Sequence, residues 1–270
     1  MPVDEASHLH YEMHISRKAG APWVVLLHGL GSCGQDWGLQ LPALTPEYCV
    51  LTPDLPGHGQ SRLTRRWPTI SGMAGAVACL LESLGQADAH VVGLSLGGAV
   101  GLQLAVDHPS RVRSLTAVNS FARLRLGVGG FRRGMDRTWL ALTGHMEVVG
   151  ERVASGLFPQ PELEPFRRAA AARLSGNSSR TYFRLLTAVA RFDLRSRLGN
   201  IQAPTLIVAG EKDATVALST KVELAQRIPR ARLVIVPGSG HATPLDAVDA
   251  FNRLLLPFLA EVDRTGGFDV

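Results

Sequence analysis

No run in this chain approaches the roughly 20 consecutive apolar residues of a helical membrane span. Met1 to Gly20 is also too polar for a secretory signal. These absences argue against a membrane partner and make the cytoplasm the expected setting. Cysteine is scarce: Cys33, Cys49 and Cys79 are odd in number and follow no metal or disulfide spacing. That suits a reducing compartment and leaves all three as packing residues. No pattern of basic residues interleaved with aromatics is present, so no nucleic-acid partner is expected. Internal repeats and low-complexity tracts are missing too. Lysine is absent from residues 121–200, where 14 arginines face six acids; the remainder holds 14 basic and 17 acidic residues. The whole positive excess therefore sits in the middle of the chain. It suits either attraction of an anionic substrate or a solvated helical face in a protein that uses arginine in place of lysine.

What is present points to an α/β protein. Of 270 residues, 46% are apolar, enough for a large core. Trp23 to Leu27, Cys49 to Thr52, His90 to Val92, Val112 to Val118, Thr205 to Ala209 and Arg232 to Val236 are short apolar runs of the kind covered on both faces. His8 to Ile15 alternates like an exposed strand. Helical spacing covers Gln35 to Leu44, Ile70 to Leu84, Gly98 to Val106, Val216 to Ile228 and Val248 to Val262. Buried strands alternating with helices predict a mostly parallel sheet wrapped on both faces. From Phe121 to about Leu198 the alternation stops. Helical patterns broken at Gly127 to Gly130, Gly144, Pro159-Gln160-Pro161 and Gly176-Asn177 take its place. This segment reads as an inserted helical cap, and Thr265 to Val270 as a loose tail.

Gly93-Leu94-Ser95-Leu96-Gly97 joins an apolar strand to a helix. A serine that attacks an acyl carbon must have its hydroxyl lifted clear of the backbone, which a tight strand-to-helix turn does. The glycines remove side chains that such a turn would bring into collision. The helix N-terminus behind it favours developing negative charge. In a parallel sheet, residues just past the carboxyl ends of strands converge. Four such ends carry chemical groups here: His28-Gly29-Leu30, Ser95, Gly210-Glu211-Lys212-Asp213 and Gly238-Ser239-Gly240-His241. Serine, then acid, then histidine is the order of a triad on this kind of sheet. His241 is the candidate general acid and base, and Asp213 the acid that orients it. Asp213 also reads as a helix cap before Thr215-Val216. Glu211 competes for the acid role, while Asp246 and Asp249 follow the histidine. The amides of Leu30 and Leu96 are the candidate oxyanion donors.

With these residues in view, the chain resembles the α/β-hydrolase superfamily, in particular its cap-bearing serine esterase and lactonase branch. The motifs are His28-Gly29-Leu30-Gly31, Asp54-Leu55-Pro56-Gly57-His58-Gly59-Gln60-Ser61, Gly93-Leu94-Ser95-Leu96-Gly97-Gly98, His108-Pro109-Ser110-Arg111-Val112, Gly210-Glu211-Lys212-Asp213 and Gly240-His241. The resemblance implies a mostly parallel eight-stranded sheet with helices on both faces and a helical cap after the sixth strand. Residues 1–120 and 199–270 would form the core and 121–198 the cap. Only one strand is evident before Trp23, so the first hairpin is expected to be short. Haloalkane dehalogenases and epoxide hydrolases place aspartate where Ser95 stands. Asn119-Ser120 offers no alternative acid after the sixth strand. Asn119-Ser120-Phe121-Ala122-Arg123 is similar to the segment at this point in enol-lactonases acting on 3-oxoadipate lactone.

The expected activity is cleavage of a small carboxylic ester or lactone through an acyl-enzyme, with water as second substrate and no cofactor or metal. Phe131, Trp139, Phe158, Phe166 and Phe183 are expected to supply part of the pocket wall. C–C bond hydrolysis or perhydrolysis on the same triad, and a ligand receptor built on the same fold, remain alternatives; the oligomeric state is open. Gly29-Leu30-Gly31-Ser32-Cys33-Gly34 also matches a dinucleotide fingerprint, with Asp54 20 residues beyond its last glycine. An NAD(P)-binding oxidoreductase would leave Ser95, Asp213 and His241 unexplained. His58 and His108 read as structural. His8, His10 and His14 share one strand face without a partnering acid motif.

Overall fold

The computed structural model describes residues 9–64, 66–124 and 128–266. His8, Gly127 and the tail beyond Gly266 lie outside the described residues. The apolar runs become strands β1 (Tyr11–His14), β2 (Trp23–Leu27), β3 (Cys49–Pro53), β4 (Ala89–Leu94), β5 (Val112–Val118), β6 (Thr205–Gly210) and β7 (Ala231–Val236). They form one sheet in the order β1-β3-β2-β4-β5-β6-β7. β1 pairs antiparallel with β3 and every other pairing is parallel. Seven strands are thus present among the described residues in place of the eight expected. A single strand, β1, covers the edge of β3, so the helical segment follows the fifth strand of this sheet.

Because strand side chains alternate between faces, each run feeds two cores. Val25, Leu27, Leu51, Val91, Leu115 and Ile207 face α2 (Ile70–Ser83), α3 (Leu96–Asp107) and α8 (Leu218–Arg227). Val24, Leu26, Val50, Val92, Leu206 and Val208 face the last helix, α10 (Val248–Thr265), through Phe251, Leu255, Phe258 and Leu259. Both faces are dry, which is why these strands read as continuous apolar runs rather than alternating ones. Gln35 to Leu44 is not one helix. It is a short 3₁₀ turn, Gly34–Trp37, followed by the one-turn α1 (Leu41–Leu44), with Pro42 at the start of α1.

Between β5 and β6 lie α4 (Val128–Leu142), α5 (Met146–Leu157), α6 (Glu164–Ser175) and α7 (Ser179–Arg191). Gly144 (φ 84°), Pro159 to Pro161, and Gly176-Asn177 mark the breaks. Gly129 and Gly130 do not break the segment; they form the first turn of α4, where amides lack intrahelical partners anyway. Ala141, Met146, Val149, Leu174 and Tyr182 form a small core of their own. Among the described residues no helix is long and apolar enough to cross a membrane.

Candidate active site

Ser95 sits between β4 and α3 with φ 53° and ψ −110°, a conformation that non-glycine residues adopt only under constraint. The surroundings supply it. The Ser95 amide donates to the Val118 carbonyl at 2.9 Å, and the Ser120 hydroxyl donates to the Ser95 carbonyl at 2.7 Å. A Cβ on Gly93 would overlap the backbone of Gly97, and one on Gly97 would overlap the Leu27 carbonyl. The turn therefore closes only with glycine at both positions. Leu96 opens α3, so its amide has no acceptor within the helix. Gly29 lies against Ser95, a Cβ there falling 3.9 Å from the serine Cβ. That sets the Gly29-Leu30 turn beside the hydroxyl-bearing residue.

His241 follows β7 and Asp213 follows β6. The Nδ1–H of His241 donates to Asp213 Oδ1 at 3.0 Å. The same oxygen accepts from the amides of Thr215 (2.8 Å) and Val216 (3.1 Å). One oxygen thus both caps the Thr215-Val216 amides and meets the histidine. Its other oxygen receives the Lys221 ammonium at 2.6 Å. Burial works to raise the Asp213 carboxyl, but hydrogen bonds and charge from His241 and Lys221 outweigh it and pull it down to about 2. The competing acids are engaged elsewhere. Glu211 accepts from the Gly238 amide, Asp246 from Ser239 Oγ and the Gly240 amide, and Asp249 is exposed at the start of α10.

The roles of two residues at this site escaped sequence reasoning. Asn119, at the carboxyl end of β5 with φ 46°, holds the histidine loop. Its Nδ2 lies 2.8 Å from the His241 carbonyl, 3.1 Å from that of Gly240 and 2.9 Å from Thr243 Oγ1. Its Oδ1 accepts from the Gly210 amide at 2.8 Å. Lys221 is the other. The available signal was its place three residues before Leu224 on α8, which puts it on the helix face turned to the core.

Ser95, His241, Asp213, Leu30 and Leu96 all line one cavity of about 1390 Å³. Its walls are mostly apolar. Phe121, Val149 and Leu157 are among them, together with Leu174, Leu186 and Val189 from α6 and α7. Of the five aromatic residues expected in the wall, Phe131 and Phe158 are there, whereas Trp139, Phe166 and Phe183 are not. Trp139 projects outward from α4, 67% exposed, and Phe166 stacks behind Phe158 at 6.0 Å. Arg137 also lines the cavity. Its guanidinium donates to Tyr182 Oη and lies 5.0 Å from that ring's centroid, while Nε is buried with no hydrogen-bond partner among the described residues.

The dinucleotide fingerprint does not meet its structural condition. After Gly34 the chain makes a 3₁₀ turn, not a helix N-terminus, and the Asp54 carboxylate is spent on the amides of Gly34 and Gln60 and on His10. His28 is locked by two contacts: Nδ1–H donates to the Gly29 carbonyl and Nε2 accepts from the Leu55 amide. His58 stacks edge-on against His28. His14 faces Glu12.

Comparison with known proteins places the fold. Residues 22–248 match the family described as the alpha/beta hydrolase fold. The RutD protein of Azorhizobium caulinodans, provisionally named a carbamate hydrolase, is 34% identical, with 95% of this chain and 96% of that protein covered. The crystal structure of the enol-lactonase from Burkholderia xenovorans LB400 superposes with a TM-score of 0.86 at 29% identity, covering 93% and 96% of the two chains. Est816, described as an N-acyl homoserine lactone degrading enzyme, gives 0.78 at 28% identity, with 93% and 96% covered. From a seven-stranded sheet with its strained serine elbow, and from a family match over most of its length, the chain belongs to the α/β-hydrolase fold family.

Proposed function

We propose that this chain is a serine hydrolase that cleaves a small carboxylic ester or lactone through an acyl-enzyme. The observation that carries the reading is the His241–Asp213 pair, 3.0 Å apart, facing the same cavity as a serine held at positive φ. With Nδ1 bound to Asp213, Nε2 is the nitrogen of His241 left to act as the base. It takes the Ser95 proton as Oγ attacks the carbonyl carbon, and returns it to the departing alkoxide. Asp213 stabilises the imidazolium formed between these steps. The amides of Leu30 and Leu96 receive the oxyanion. Water then repeats the sequence on the acyl-enzyme and releases the acid.

In this reading residues 121–198 act as a cap over the core formed by 1–120 and 199–270, and α4 to α7 shape the substrate. Two observations support a substrate with an apolar body and an anionic end. The walls are mainly apolar, and Arg137 brings a guanidinium into them whose Nε has no acceptor among the described residues. Burial lowers this group to about 10, so it remains cationic at neutral pH. Carbamate hydrolysis is the second reading, favoured by the sequence relatives, since the same nucleophile can attack a carbamate.

The test is turnover of p-nitrophenyl esters from two to twelve carbons, and of carbamates, by wild type and Ser95→Ala, with folding of the variant checked by circular dichroism. Loss of roughly 10⁴- to 10⁶-fold in the folded variant is expected. Unchanged turnover without Ser95 would overturn the reading, and preference for carbamates would favour the second one.

A further inference from the structure

The chain has 28 basic residues, of which only Lys18, Lys212 and Lys221 are lysines. Lys18 and Lys212 lie at the surface. The Lys221 side chain is 1% exposed, and its Nζ stands 2.6 Å from an Asp213 carboxylate that is itself fully buried. An ammonium taken out of water is tolerated only against an anion. Burial lowers the Lys221 ammonium from its usual range, and Asp213 returns part of what burial removes. One carboxylate thus accepts from two donors, Lys221 through Oδ2 and His241 through Oδ1.

We propose that Lys221 is a positioning residue that sets the pH range in which His241 can act as a base. This rests on the hydrolase reading above. By pinning Oδ2, Lys221 aims Oδ1 at Nδ1. By neutralising part of the carboxylate charge, it weakens the attraction that would otherwise hold a proton on the imidazole. The histidine is then free to accept the Ser95 proton at a lower pH than Asp213 alone would allow.

The other charged groups around His241 do not supply this effect. Asp246, on the short helix α9 (Thr243–Asp246), is a second carboxylate acting on His241 in the same sense as Asp213. Glu211 and Lys212 lie on the exposed side of the loop after β6, and Asp249 is exposed on α10. Across the cavity stand Arg137, Arg152, Asp136 and Glu151, and Arg173 paired with Asp36. Without Lys221, the nearest groups would be two uncompensated carboxylates.

Lys221→Met keeps the volume and removes the charge; Lys221→Gln keeps a polar end. For each, the pH dependence of kcat/KM is measured on the best ester, and the His241 Cε1–H resonance is titrated by NMR. The acid limb and the His241 titration are expected to move up together by roughly 0.5 to 1 pH unit, a three- to tenfold change in proton affinity. Lys221→Arg, where it folds, should restore much of the wild-type limb. A uniform drop in kcat/KM with both curves unmoved would make Lys221 a packing residue and overturn the proposal. So would loss of the folded state in both neutral variants. Turnover that survives Ser95→Ala sinks the hydrolase reading itself. An unmoved limb in a Ser95-dependent enzyme sinks this inference alone.

Discussion

The side-chain amide of Asn119 reaches the carbonyl oxygen of His241 at 2.8 Å, so the end of β5 holds the loop that follows β7. With its Oδ1 on the Gly210 amide, the same residue fixes the start of the Asp213 loop. Asn119→Ala would leave several buried polar groups unpaired, at a cost of about 2–4 kcal/mol. It would also loosen the His241–Asp213 geometry. We expect a lower midpoint in urea denaturation and a drop in kcat of roughly 10- to 100-fold in the protein that remains folded. Normal kcat in a destabilised variant would limit Asn119 to a role in stability.

Two glycine-to-alanine changes should have opposite signs. At Gly97 the added methyl would overlap the Leu27 carbonyl, which is backbone and cannot rotate away. Destabilisation of more than about 2 kcal/mol is expected. At Gly75, inside α2, nothing lies within 4 Å of the added Cβ, so alanine should stabilise by about 0.5–1 kcal/mol through helix propensity. Thermal melts of both variants check the pair.

Burial, with the charge of His28 adding to it, pushes His58 down to about 3, well below the ordinary histidine value near 6.5. The unfolded chain therefore binds a proton there between about pH 6.5 and 3 that the folded chain does not. Stability from this group is fully present above the unfolded value and falls as pH drops through that window, by about 1.4 kcal/mol per unit. His58→Leu should flatten the loss of stability between pH 6.5 and 4. An identical slope in the variant would assign the acid sensitivity to His28 or to other groups.

Arg137→Met should act on substrate choice more than on rate. If its guanidinium receives an anionic substrate end, KM for an ester carrying a terminal carboxylate should rise about tenfold or more. KM for the neutral ester of equal length should change little, and kcat for both should stay within a few-fold. Equal effects on both substrates would tie Arg137 to the packing of Tyr182 instead.

The serine elbow and the strand ends that carry Asp213 and His241 were legible in the sequence because each is written locally. A tight strand-to-helix turn demands glycine at fixed offsets, and a doubly covered strand demands an unbroken apolar run. The ends of those runs locate Ser95, Asp213 and His241 without coordinates. The helices between β5 and β6 announced themselves the same way, by loss of strand runs and by Gly144, Pro159 and Gly176-Asn177. Gly129 and Gly130 misled because glycine is tolerated in a first turn, where the amides have no helical partner to lose.

Other features depend on which distant segments meet, and no local rule encodes that. Whether Asp213 or Glu211 meets His241 was settled by how two loops pack. Trp139 and Phe158 are both large apolar letters, yet Trp139 projects outward from α4 whereas Phe158, just past the end of α5, lines the cavity. Helical spacing puts Lys221 on the core face of α8, but only the packing of α8 sets its ammonium against Asp213. Local sequence fixes backbone shape and the order of chemical groups along the sheet edge. The pairing of charges across that edge exists only once the strands have brought separate loops within a few ångströms.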